Sequence, residues 1–306
     1  MTTGPLMVIG GAEDKTGARQ VLARFAKLAG GPGAKVAVIA TASSLGAEII
    51  DAYREAFGKL GVTDVVAPRP RTRADAEDPH QVAQLHDVTG IFMTGGNQST
   101  LSAVLAGTTF GTAIKMAHIR GVVVGGTSAG ASVQSEHMVA FGPPGTTPKM
   151  RGAQMSAGLG LLPGLVIDQH FDQRNRYGRL LTLVSHAPHL LGMGVDEDTA
   201  AIITQGHLLE VIGRGAVTLF DGRTATSNID TAARSAPILV SGMVVHSLPA
   251  GARFDLAARL LLPGVGGRPD DLREPPHVRS RVERLIAVEG AVGNVPRRLS
   301  QEGASS

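Results

Sequence analysis

From Leu6 to Val124, short apolar runs of strand length alternate with segments whose apolar residues recur at helical spacing. Few architectures satisfy that alternation. Leu6–Ile9, Lys35–Ala42, Val62–Val66, Gly90–Met93 and Arg120–Val124 are the predicted strands. Ala18–Leu28, Ala47–Leu60, Ala74–Leu85 and Ser99–Leu105 are the predicted helices between them. The run KVAVIATA at Lys35–Ala42 is continuously apolar, as a strand covered on both faces must be. The expected fold is therefore α/β, with a mostly parallel sheet and helices on both faces. Ligands of such sheets bind beyond the carboxyl ends of the strands. Past about residue 190 the rhythm changes to short runs at Ala200–Thr204, His207–Ile212 and Ala216–Phe220, separated by glycine turns. These read as antiparallel hairpins added to the sheet. Residues 1–263 are expected to form one domain. Residues 264–306, rich in Gly, Pro and charge, are read as an extension with a short helix at 278–288.

With 43% hydrophobic and 18% charged residues, the chain has the composition of a folded globular protein rather than a disordered one. A net charge of +3, spread along the sequence, gives no case for nucleic acid as a partner. Aromatic residues at 3%, without tryptophan, argue against a base-stacking platform. The absence of cysteine excludes disulfides, thiolate metal sites and a cysteine nucleophile. No basic leader with an apolar run and no stretch of membrane-spanning length is found, so the expectation is a cytoplasmic protein without membrane contact.

One segment points to chemistry. GVVVGGTSAGAS, Gly121 to Ser132, runs from a strand into a helix-compatible stretch and contains Gly126-Thr127-Ser128-Ala129-Gly130, a G-x-S-x-G elbow. Small neighbours let the backbone turn sharply and leave the Ser128 hydroxyl exposed, while the following helix start offers free N–H groups to an oxyanion. A helix-capping serine is the plainer alternative. A serine nucleophile needs a base and a group to orient it. His170, in GLVIDQHFDQRNR, lies where another predicted strand enters a polar loop, at the same end of the sheet as Ser128 if the two strands are parallel. Asp168, Asp172 and Glu197 are all open as the orienting carboxylate. His186 and His189 form a His-x-x-His pair without further ligands, read as a solvated loop. No metal or cofactor is expected.

Five segments, IGGAEDK, FMTGGNQSTL, GGTSAGAS, DQHFDQRNRYGRL and GMGVDEDTA, occur in this order across residues 6–215. On them the chain resembles the serine peptidase family that contains cyanophycinase and aspartyl dipeptidase. The resemblance implies an α/β/α sandwich similar to class I glutamine amidotransferases. It matches Ser128 to the nucleophile, His170 to the base and Glu197 to the orienting carboxylate. It assigns Gly95, Gly96 and Ala129 to the oxyanion hole. Gln98, Asp168, Gln169, Arg174, Arg176 and Arg179 match a pocket for a β-aspartyl-arginine unit. Asn97 departs from the aspartate found in many relatives.

The implied substrate is the cyanophycin polymer, cleaved from its end to β-Asp-Arg dipeptides. Planar guanidinium groups suit its carboxylates, and the amide and acidic side chains suit its guanidinium. An α-aspartyl dipeptidase and a catalytically silent binding protein on the same fold are the alternatives. Retention of Ser128 and His170 speaks against the second. A homodimer is carried as an open expectation.

Overall fold

The structure, a computed structural model, describes residues 3–263. The predicted extension and its helix lie outside the described residues. In chain order the elements of the first part are β1 (Leu6–Ile9), α1 (Gln20–Leu28), β2 (Lys35–Ile39), α2 (Ala47–Gly58), β3 (Asp64–Val66), α3 (Pro79–Ala83), β4 (Gly90–Met93), α4 (Gln98–Leu105), α5 (Thr109–Ile119), β5 (Val123–Thr127) and α6 (Ala129–Ser132). There follow β6 (His137–Phe141), β7 (Gln154–Ala157), β8 (Leu165–Gln169), α7 (Tyr177–His186), β9 (Leu191–Val195), β10 (Thr199–Thr204), β11 (Leu208–Gly213) and β12 (Ala216–Asp221). The last are β13 (Thr226–Ser227), β14 (Val240–Ser241), β15 (Val244–Pro249), β16 (Arg253–Asp255) and β17 (Leu260–Leu262).

A nine-stranded sheet has the order β17-β16-β11-β10-β1-β5-β4-β2-β3. Its pairs from β1 through β5, β4 and β2 to β3 are parallel. Those from β1 through β10, β11 and β16 to β17 are antiparallel. The alternation of odd and even residues along β1 divides the core between the sheet's faces: Met7 and Ile9 join α1 and α2, while Leu6 and Val8 join the cluster that holds α4, α5 and α6. Under α1 and α2, Phe25 and Tyr53 close on Phe92 with ring centroids 5.1 and 4.9 Å away. Edge-on and tilted aromatic pairs of this kind add to the gain from burial.

The sequence reading needs correction at four places. His170 follows β8, which is not in the sheet of Ser128; β8 pairs in parallel with β9 in a four-stranded sheet of order β15-β12-β9-β8. β12 belongs there too and is not a hairpin on the main sheet. An apolar run shows that a strand is covered, not by which sheet. Second, β5 extends through Gly125 and Gly126 to Thr127, where the glycines suggested the turn itself. Gly125 is required by packing: a Cβ there would lie 2.7 Å from the Phe25 ring. Third, the helix expected over 74–85 is broken at Asp78, whose extended backbone precedes Pro79 and whose carboxylate caps α3. Fourth, the sequence reading assigns no element to 109–119, which forms α5, capped by Thr108 and burying Phe110, Ile114 and Ala117. Among the described residues no helix is long and apolar enough to cross a membrane.

Candidate active site

Ser128 stands between β5 and α6 with φ 52° and ψ −109°, a conformation costly for a residue with a side chain. The flanking glycines make the turn sterically feasible. A Cβ on Gly126 would overlap the Gly130 carbonyl, and one on Gly130 would overlap that of Met93. The hydroxyl of Ser128 lies 2.9 Å from His170 Nε2, and His170 Nδ1 lies 2.6 Å from Glu197 Oε1. A carboxylate only accepts, so Nδ1 carries the ring proton and Nε2 is free to take one from the hydroxyl. Burial holds the His170 imidazole below its usual value of 6.5; the bond to Glu197 opposes this, and Arg174 and Arg176 push it further down. The ring at rest is therefore a neutral base near pH 7.

Of the three carboxylates the sequence left open, Glu197 is the one on the imidazole. Asp172 lies on the surface, where its N–H donates to Asp196 Oδ1 at 3.1 Å. Asp168 is fully buried and accepts from Arg179 Nε at 2.6 Å, from Arg179 Nη2, and from Arg176 Nη1 at 3.2 Å. Arg179 completes its set by donating from Nη1 to the Gly142 carbonyl at 2.8 Å. Arg176 Nη1 also donates to the Gln169 carbonyl at 2.6 Å and to Gln169 Oε1 at 2.7 Å. Burial pulls the Arg176 guanidinium down to about 10, which leaves it charged at neutral pH. Arg174 is exposed and makes no ion pair among the described residues. Three guanidinium groups, those of Arg174, Arg176 and Arg179, gather around the one buried carboxylate of Asp168 and leave this corner rich in arginine. Gln98, at the start of α4, donates from Nε2 to the Val139 carbonyl at 3.0 Å.

Gly95 packs behind the nucleophile, where an added Cβ would lie 3.3 Å from Ser128 Cβ. The N–H groups of Gly95, Gly96 and Ala129 donate to no partner among the described residues. Ala129 opens α6, ahead of that helix's own hydrogen-bond ladder. Asn97 caps α4, its Oδ1 accepting from Ser99 N at 2.9 Å and Thr100 N at 3.1 Å. An amide serves that role as well as an aspartate would.

Nothing in the sequence of IGGAEDK assigns its residues a role. In the structure this segment holds the loops that carry the site. The Ile9 carbonyl accepts from Ser128 N at 3.0 Å, the Gly10 carbonyl from His170 N at 2.7 Å, and the Gly11 carbonyl from Asp198 N at 2.9 Å. Gly11, at φ +102°, lies flat against the imidazole, which a Cβ would overlap. Glu13 is buried below; it accepts from Tyr53 and Thr127 hydroxyls and pairs with Lys15 at 2.7 Å. Acids are seldom buried without partners, but the burial of Glu13 and its reach to Thr127 arise from folding, so the local sequence carries no signal of this role.

The pattern of peptidase family S51 matches residues 6–211. A cyanophycinase from Geminocystis herdmanii is 38% identical over 262 residues, 85% of this chain and 96% of the relative. A cyanophycinase from a Nostoc species is 39% identical over 267 residues, 86% of this chain and 89% of the relative. The crystal structure of a peptidase from an acI-B1 Actinobacterium superposes with a TM-score of 0.62 at 22% identity, covering 83% of this chain and 97% of that one, which bears on the fold. By the span of the family match and the identity of its relatives, the chain belongs to peptidase family S51.

Proposed function

We propose that the protein is a serine exopeptidase that hydrolyses cyanophycin to β-Asp-Arg dipeptides. The observation that carries the reading is the unbroken chain from Ser128 Oγ through the His170 ring to Glu197 Oε1. Ser128 Oγ attacks the scissile carbonyl carbon as its proton passes to His170 Nε2. Glu197 stabilises the imidazolium that results and holds the ring in register. The oxyanion forms beside the N–H groups of Gly95, Gly96 and Ala129, whose unused donors suit it. When the C–N bond breaks, His170 gives its proton to the departing amine and an acyl-serine ester remains. Water, deprotonated by the same Nε2, attacks the ester, and the proton returns to Ser128 as the acid leaves.

The arginine-rich corner selects the substrate. Arg174 and the unused Nε and Nη2 of Arg176 are the groups open to substrate carboxylates, with Gln98 and Gln169 as amide partners. Asp168 and Arg179 keep that corner in shape. The parallel half of the sheet, with helices on both faces and the nucleophile after β5, supports the finer reading of a class I glutamine amidotransferase-like fold. The test is incubation with purified cyanophycin and mass spectrometry of the products. Release of β-Asp-Arg is expected. Intact polymer together with rapid cleavage of α-linked aspartyl dipeptides would move the assignment to a dipeptidase.

A further inference from the structure

Two adjoining hollows lead away from the reacting centre. The nearer, about 430 Å³, is lined by Ala42, Ser44, Gly96, Asn97, Gln98 and Ala140 among others. The farther, about 270 Å³, has Thr41, Ser43, Ser44, Arg69, Pro70 and Arg71 in its walls. Ser44 lines both, so they form one trough. Its course follows the parallel strands outward from β5: Gly96 and Gln98 follow β4, Ser44 follows β2, and Arg69 and Arg71 follow β3. This is the edge of the sheet where ligands of such folds bind.

The walls are fixed to one another. Asn97 N donates to the Ala42 carbonyl at 2.8 Å, and Thr41 Oγ1 donates to the Pro70 carbonyl at 2.8 Å. No acidic side chain lines either hollow. Neither Arg69 nor Arg71 has a carboxylate partner among the described residues. The nearby Asp75 carboxylate is occupied, accepting from the backbone of Arg71 and Thr72 at 2.9 Å each.

We infer that this trough binds the length of polymer beyond the unit being removed, with Arg69 and Arg71 pairing its carboxylates. The inference rests on the cyanophycin reading. Every unit of that polymer carries a free carboxylate and a guanidinium. A trough with cationic and no anionic side chains takes the carboxylates and leaves the guanidinium groups to solvent. On this inference a two-unit substrate, held at the reacting centre, meets only the near end of the trough at Gly96 and Gln98 and gains nothing from Arg69 and Arg71.

The experiment compares kcat/KM for a long polymer with that for a two-unit substrate, in the wild-type chain and in Arg69→Gln/Arg71→Gln. The ratio of long to short is expected to fall about tenfold in the variant, mostly through KM. In the wild type the same ratio should shrink as salt rises from low to high, since exposed charges are screened. An unchanged ratio in the variant overturns the inference, as does a wild-type ratio indifferent to salt. Failure of the wild-type protein to release β-Asp-Arg from any polymer is a separate result and sinks the cyanophycin reading itself.

Discussion

Glu13 accepts a hydrogen bond from Thr127, the residue just before Ser128, although the two lie 114 positions apart in sequence. The same carboxylate accepts from Tyr53 in the aromatic core and pairs with Lys15. It therefore links the nucleophile's strand to the loop whose carbonyls hold Ser128 and His170. Replacing Glu13 by Ala orphans two buried hydroxyls, at about 1–3 kcal/mol each. A lower melting temperature and a reduced kcat with nearly unchanged KM are expected. A variant with wild-type kcat would show that the link has no bearing on the serine.

Ser128→Ala removes one half-buried hydroxyl and leaves the elbow's backbone as it is. Dipeptide release should drop about 10³-fold or more while the melting temperature stays put. Glu197→Gln keeps the shape but loses the charge that stabilises the imidazolium, so kcat should fall strongly and KM little. Retained activity in Ser128→Ala removes the nucleophile assignment.

The pH dependence follows from His170. Its pKa is held below 6.5, first by burial, so the unfolded chain takes up a proton before the folded one does as pH falls. Activity and this residue's contribution to stability are both complete above about 6.5 and are lost on acidification below it. Arg174 is one of the charges pushing the ring down, so Arg174→Ala should move the acid limb of kcat/KM to higher pH. A limb that moves to lower pH, or not at all, contradicts this coupling.

The arginines should divide into two classes. Arg179→Ala leaves Asp168 buried with only its contact to Arg176, and breaking such a pair costs about 3–5 kcal/mol. A marked loss of stability is expected from differential scanning calorimetry. Arg174→Ala should instead leave the melting temperature alone and raise KM about tenfold, the value of one charge-assisted bond. Arg176→Lys should rescue only part of the loss in Arg176→Ala, because an ammonium cannot follow the planar fork.

Gly11→Ala places a methyl group in the space of the His170 ring and puts a side chain at φ +102°. A folded but nearly inactive protein is the expected result, read by circular dichroism alongside dipeptide release. Full activity would mean that the ring's seat against this loop is unimportant.

The sequence by itself determined the alternation of strands and helices through β5 and the G-x-S-x-G elbow, because local periodicity and small residues at a sharp turn are short-range properties. It offered His170 as a candidate base without showing what would bring that ring to Ser128. Only the tertiary structure decided the rest. Asp168, Asp172 and Glu197 sit in similar strand-end contexts, and nothing local distinguishes them; only the family resemblance singles out Glu197. Folding puts Glu197 on the imidazole, Asp168 between two guanidinium groups and Asp172 on the surface. The second sheet was likewise hidden, since β8 opens on an apolar run like the strands of the first and its partner is chosen by packing. The seat of His170 on Gly10 and the Glu13–Thr127 link join residues far apart in the chain. The first contact exists only once the two sheets meet and the second only once β1 lies beside β5, and no pattern in the neighbouring residues records them.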